Sequence, residues 1–250
     1  NGKKALNSIL AGNPGAKVSF FTADLMGQRE VLRVAREITA YLNENCGGEL
    51  YALINNAGCV RSRYMTTDEG YEQQFALNCL SGFLLTHELL PLLKKNGGRV
   101  IMTGSKSHKG IRVHWDDVML RRGYNPLTAY KQSKLCNLLF AKGLNDRYAA
   151  RGIRSFVVDP GLVNTDIGNK NTETLVSFIW GLRKRFGVSP TVPAKTYAFL
   201  CEKENAPNGL YFYLCKETSC SRQVTGDNAD RFFSLCERLC GVSYDKGEKV

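Results

Sequence analysis

The chain has 250 residues, 43% apolar and 23% charged, the composition expected of a soluble globular domain with a sizeable core. No apolar run reaches the ~18–20 residues of a membrane span, no secretory signal opens the sequence, and the first residue is Asn1 rather than Met. Thirty-four basic against 23 acidic residues give a net charge of +11, yet no nucleic-acid module is present and aromatics do not interleave with the basic runs.

The basic residues are dispersed, with pairs at Lys94-Lys95 and Arg121-Arg122 and a triplet at Arg183-Lys184-Arg185. A solvated basic surface, a phosphorylated ligand and peripheral contact with an anionic membrane all fit that pattern. Nine cysteines occur without a Cys-x-x-Cys pair. Cys215, Cys220, Cys236 and Cys240 come nearest to metal spacing, but no histidine lies near them. Free thiols in a reducing, cytoplasmic compartment are expected, and no metal.

In chain order, residues 2–11 read as the end of a helix, broken at Asn13-Pro14-Gly15. Val18 to Leu25 reads as a strand. Residues 28–45 form an amphipathic helix closed by Gly47-Gly48. Leu50 to Ala57 is a short, nearly continuous apolar strand, the pattern of a strand covered on both faces. Residues 68–95 make a long helix that Pro91 bends or ends. A strand over Arg99–Ser105 and a polar loop over 106–126 follow, then a helix from about Leu127 to Ala150. Ile153 to Asp159 is another strand, stopped by Pro160-Gly161. Helices over 171–186 and 190–200, a strand over 210–214 and a helix over 227–240 complete the chain. This alternation predicts an α/β fold in one domain spanning 1–250, a doubly wound parallel sheet with helices on both faces.

The chemistry centres on Tyr130-Lys131-Gln132-Ser133-Lys134. Residues four apart on a helix share a face, with Cβ atoms about 5–6 Å apart, so a phenol and an ammonium are held side by side. A free tyrosine has a pKa of about 10, and lowering it by ~3 units takes roughly 4 kcal/mol. One cation at ~4 Å in an effective dielectric of ~20 supplies about that much. Burial of the phenolate opposes it, so a second positive charge nearby would help.

Together with Asn55-Asn56-Ala57-Gly58 at a strand end about 70 residues earlier, the pattern resembles the short-chain dehydrogenase/reductase family. The resemblance runs from Asp24 to about Gly161 and more loosely to the end. The segment from Phe83 to Pro91, the loop between Ser105 and Tyr130, and the C-terminal third look most like its retinol-dehydrogenase-like branch.

The resemblance implies a Rossmann-like sheet and a nicotinamide cofactor, NADP or NAD. It implies that Tyr130 is the proton donor in reduction and the base in oxidation, and that Lys134 lowers its pKa and bonds the nicotinamide ribose. Ser105 would orient the substrate oxygen, with Ser107 its neighbouring rival, and Asn78 would hold a water behind the lysine. Asp24 and Leu25 resemble the segment beside the adenine, although an Asp ahead of a helix also serves as an N-cap. Asn55, Ala57 and Gly58 resemble the turn under the adenosine ribose. Pro160, Gly161, Val163 and Thr165 resemble the loop facing the carboxamide. Between Asn171 and Phe186, apolar residues including Trp180 stand where the family builds its substrate lid. An apolar lid over a lipophilic, retinoid-, steroid- or lipid-like carbonyl or alcohol is therefore one reading, and an ordinary core helix the other. The family also pairs through its long helices, which implies a homodimer.

The sequence departs from the family at its start, where the glycine-rich phosphate turn, the first strand and the end of the second are absent. An N-terminally incomplete sheet follows, with an open apolar edge on the strand ending at Asn55. A truncated chain that binds a dinucleotide poorly is expected. Lys3 and Lys4 lean toward the phosphorylated cofactor. The rival class is a non-catalytic binding or regulatory relative that keeps the fold. The set Asn78, Ser105, Tyr130, Lys134 favours an enzyme.

Overall fold

A computed structural model describes residues 2–93, 97–163, 187–202 and 207–245. Four parallel strands stand in the order β1 (Ala52–Asn55), β2 (Arg99–Thr103), β3 (Arg154–Val158), β4 (Tyr211–Tyr213), and a short antiparallel β5 (Lys216–Glu217) closes one side. The register places Asn55 opposite Met102, and Thr103 opposite Val158. The C-terminal ends of β1, β2 and β3 therefore lie side by side, where open α/β sheets place ligands.

Side chains alternate across a strand, and the core divides accordingly. Val100, Met102 and Val157 join the large cluster under the helices α4 (Ser81–Leu93), α5 (Pro126–Tyr148) and α7 (Gly226–Cys240). Ile101, Phe156 and Val158 face the other way, onto Leu200 of α6 (Thr191–Cys201). Helices therefore cover both faces of a doubly wound sheet.

Helix α5 is buried almost throughout Gln132–Leu144, so no polar stripe marks its outer face. Asn125 caps it, its Oδ1 accepting from the Leu127 and Thr128 amides at 3.0 Å each, with Pro126 in the first turn. Gly143 is required where α7 crosses: a Cβ there would stand 2.4 Å from Phe233 Cε2.

Helices α1 (Gly2–Gly12) and α2 (Gln28–Asn45) precede the sheet. The expected strand over 18–25 does not form. A strand is held by a ladder partner, and none lies beside this segment among the described residues. It is held instead by Arg33, which donates to the Thr22 carbonyl at 2.6 Å, and by Phe21, edge-on to Tyr41. On the side away from β2, β1 has no partner among the described residues, and Ile54 is 42% exposed.

The long helix begins at Gln73 rather than residue 68, because Thr66 and Glu72 pair in an isolated bridge and Glu72 caps the Phe75 amide. It runs as α3 (Gln73–Phe75), a π turn over Ala76–Leu80 and then α4. Pro91 lies inside α4 without ending it. The run Gln73–Leu93 is apolar and long enough to cross a membrane by composition, contrary to the reading from the sequence, but 72% of its most apolar window is buried in the fold. Its hydropathy belongs to the core. The helix expected over 171–186 lies outside the described residues.

Candidate active site

The site is built from the bottom of α5 upward. Lys134 is 4% exposed, and its Nζ lies 5.6 Å from the centre of the Tyr130 ring. Nζ donates to the Thr103 carbonyl at 3.0 Å, at the end of β2. An ammonium has three protons, so two remain after that bond among the described residues. Burial pulls the lysine down to about 8, against smaller opposing effects of Cys79 and Cys59. The cation beside Tyr130 is therefore held at an energetic cost, and nearby anionic character would restore it.

Asn78, in the π turn, is 3% exposed. Its Oδ1 accepts from the Cys59 amide at 2.7 Å. Its Nδ2 donates to the Cys59 carbonyl at 3.1 Å and to Ser133 Oγ at 2.9 Å. Ser133 in turn donates to the Tyr130 carbonyl at 2.8 Å. One buried amide thus ties the segment after β1 to the first turns of α5. Gly58 sits against this junction: a Cβ would stand 3.1 Å from Asn78 Oδ1 and 3.7 Å from Lys134 Nζ. The absence of a side chain keeps the approach to Lys134 open.

Ser105 follows β2 and is partly exposed, as is Tyr130. Its Oγ accepts from the Ser107 amide at 3.2 Å. The Ser107 hydroxyl is buried without a partner among the described residues.

The expected cofactor residues spread along the same edge of the sheet. A cleft at the end of β1 is lined by Leu25, Asn56, Ala57 and Asn78. Asp24 is exposed, and its Oδ1 accepts from the Met26 amide at 3.1 Å. It forms a tight turn ahead of α2 and does not cap the helix, whose N-cap is Gly27. Instead Glu69 reaches across to accept from the Gln28 amide at 2.8 Å. Asn55 turns inward and donates to Thr86 Oγ1 at 3.0 Å, bracing β1 against α4. Pro160, Gly161 and Val163 follow β3. Gly161 adopts φ 68°, and Asp159 Oδ1 accepts from its amide at 2.9 Å. Thr165 lies outside the described residues.

Three polar contributors escape a motif reading. Thr103 Oγ1 donates to Asn56 at 2.8 Å and lies 2.7 Å from the Tyr197 hydroxyl. Asn137 donates to the same Thr103 carbonyl as Lys134, at 3.2 Å. Its place three residues after Lys134, on the same helix face, is a signal the sequence does carry. Tyr211 donates to Asp159 Oδ2 at 2.6 Å.

A buried ammonium with protons to spare, beside a glycine that leaves it accessible, suits the hydroxyls of a ribose, and the donor set fits a nicotinamide nucleotide. Residues 1–175 match the family described as short chain dehydrogenase. The chain is 35% identical to human retinol dehydrogenase 14 over 83% of its own length and 64% of that protein's. It is 30% identical to mouse retinol dehydrogenase 12 over 98% of its length and 76% of that protein's. A putative uncharacterized protein from Mycobacterium paratuberculosis superposes with a TM-score of 0.72 at 25% identity, covering 96% of this chain and 81% of that one. The NADPH-bound carbonyl reductase from chicken fatty liver shares the fold, with a TM-score of 0.60 at 18% identity over 86% and 81% of the two chains.

The chain therefore belongs to the NAD(P)-dependent short-chain dehydrogenase/reductase family. It spans a little under two thirds of the length of human retinol dehydrogenase 14.

Proposed function

We propose that this protein interconverts a carbonyl and an alcohol, with a nicotinamide dinucleotide as redox partner and a lipophilic substrate. The observation that carries the reading is the buried Lys134 ammonium beside the Tyr130 ring, backed by the Asn78–Ser133 junction.

The cofactor, when bound, supplies or accepts the hydride. Asp24, Leu25, Asn55, Ala57 and Gly58 would flank its adenosine half, and Lys134, Tyr130 and the loop from Pro160 its nicotinamide half. In reduction Tyr130 hands its phenolic proton to the carbonyl oxygen, and in oxidation the phenolate takes the alcohol proton. Lys134 stabilises that phenolate, which is the work its costly burial performs. Ser105 donates to the substrate oxygen as charge builds there. Asn78 ties the segment at Cys59 to Ser133, the residue before Lys134.

A lipophilic substrate is supported by relatives named as retinol dehydrogenases at 30–35% identity. NADP is preferred over NAD in this reading, because Lys3 and Lys4, exposed on α1, follow the point in the sequence where the family's 2′-phosphate would sit. The test is a screen of hydrophobic aldehydes and ketones with NADPH and with NADH. Turnover with a retinoid-, steroid- or lipid-like carbonyl supports the proposal. No turnover with either cofactor returns the protein to the non-catalytic class.

A further inference from the structure

Three residues beyond Ser105 lies a histidine that the proposed reaction leaves without a task. His108 has no exposed surface. Its Nδ1 lies 2.7 Å from the Ser105 carbonyl oxygen, and the Ser221 amide donates to its Nε2 at 3.1 Å. A nitrogen that accepts from an N–H needs a free lone pair. The proton of the neutral ring is therefore on Nδ1 and is donated to Ser105. Burial lowers this histidine's pKa and favours that neutral form.

The surroundings hold the ring in place. It stands edge-on to Tyr211, with centroids 4.7 Å apart and planes at 73°. Tyr211 is fixed by its bond to Asp159, whose other oxygen holds the Gly161 amide. The next residue, Lys109, reaches Ser219 Oγ at 3.0 Å, a second tie to the same stretch before α7. One imidazole thus joins the Ser105 loop, the segment ahead of α7 and β4.

We infer that His108 is a positioning residue for Ser105. Its Nδ1–H, kept in one tautomer by the Ser221 amide, fixes the Ser105–Lys106 peptide and so the turn in which the Ser107 amide holds the Ser105 hydroxyl oxygen. This rests on the oxidoreductase reading above for the part Ser105 plays in turnover. The geometric half stands apart from it.

Asparagine and glutamine separate the two halves of the ring. The amide of His108→Asn can take the place of Nδ1 and keep a donor on Ser105. The amide of His108→Gln reaches the place of Nε2 and keeps an acceptor for Ser221, but gives Ser105 nothing. The inference predicts that kcat for Asn stays within about 3-fold of wild type while Gln loses about 10-fold or more. It also predicts that the Ser107 amide resonance, which reports its bond to Ser105 Oγ, holds its position in Asn and moves in Gln. A merely structural role would lower the stability of both variants without that split. Long-range proton–nitrogen spectra of the wild type should show the Nδ1–H tautomer. An Nε2–H tautomer, full kcat in Gln, or an unmoved Ser107 amide in Gln would overturn the inference. If the wild type turns over no carbonyl, the oxidoreductase reading falls, and the tautomer and the Ser107 amide still decide the positioning role.

Discussion

The Lys134 ammonium stands 5.6 Å from the centre of the Tyr130 ring, inside protein that excludes water from the lysine almost completely. Burial disfavours its charged form and pulls it from 10.5 to about 8. A lysine so depressed binds a proton less readily folded than unfolded. The folded state is therefore penalised in full below about pH 8 and regains stability as pH rises toward about 10.5.

Replacing Lys134 by Met should for that reason stabilise the protein at pH 7, by up to about 3 kcal/mol, while abolishing turnover. The Thr103 carbonyl keeps its bond to Asn137 in that variant. Urea unfolding of both proteins at pH 7 and pH 10 checks the sign: the advantage should shrink toward zero at the higher pH. A variant less stable than wild type at pH 7 would show that the ammonium contributes more bonding than its desolvation costs.

Asn78→Ala should cost about 2–4 kcal/mol, because it strands the buried Cys59 amide and removes the link to Ser133. The midpoint of chemical unfolding reads this directly. The same variant should lower kcat, since the segment beside Lys134 loses its anchor. A midpoint within error of wild type would mean that the junction is slack.

Gly58→Ala should behave differently. The added methyl meets Lys134 Nζ at 3.7 Å and Asn78 Oδ1 at 3.1 Å, so Asn78, pinned by three bonds, must give by a few tenths of an ångström. Stability should fall by about 1–3 kcal/mol, while the KM for the dinucleotide rises about 10-fold or more through lost approach. Thermal unfolding and steady-state titration of the cofactor separate the two effects.

Tyr211→Phe should destabilise by about 1–3 kcal/mol, because the Asp159 carboxylate loses a buried donor at 2.6 Å. The Gly161 turn hangs on the same carboxylate, so cofactor binding should weaken as well. A melting temperature unchanged from wild type would contradict this.

Much of this arrangement was readable in the residues. Asn55 to Gly58 closes an apolar run and so ends a strand, and Tyr130 to Lys134 spans one helical turn. That both stand at the ligand edge of the sheet was implied by the resemblance to the short-chain dehydrogenase/reductase family. What escaped depends on partners distant in sequence. The segment 18–25 has the composition of a strand, but a ladder needs a neighbour and none lies beside it among the described residues. The hairpin from β4 to β5 turns through Leu214 and Cys215 at φ 50° and 62°. Two-residue hairpin turns favour glycine or asparagine there, so nothing in the local sequence announced it. The late start of the helix at Gln73 is set by the bridge between Thr66 and Glu72. His108 carries no motif of its own, and its place becomes visible only when Ser221 arrives from 113 positions later.

Exchange of Tyr130 for Phe tests the account most directly. The substitution removes one hydroxyl from a partly exposed ring and leaves the Lys134 bond to Thr103 untouched. With a carbonyl substrate identified, kcat should fall by about 100- to 10,000-fold while dinucleotide affinity stays near wild type. A Phe variant that reduces the carbonyl at the wild-type rate would contradict the account at its root.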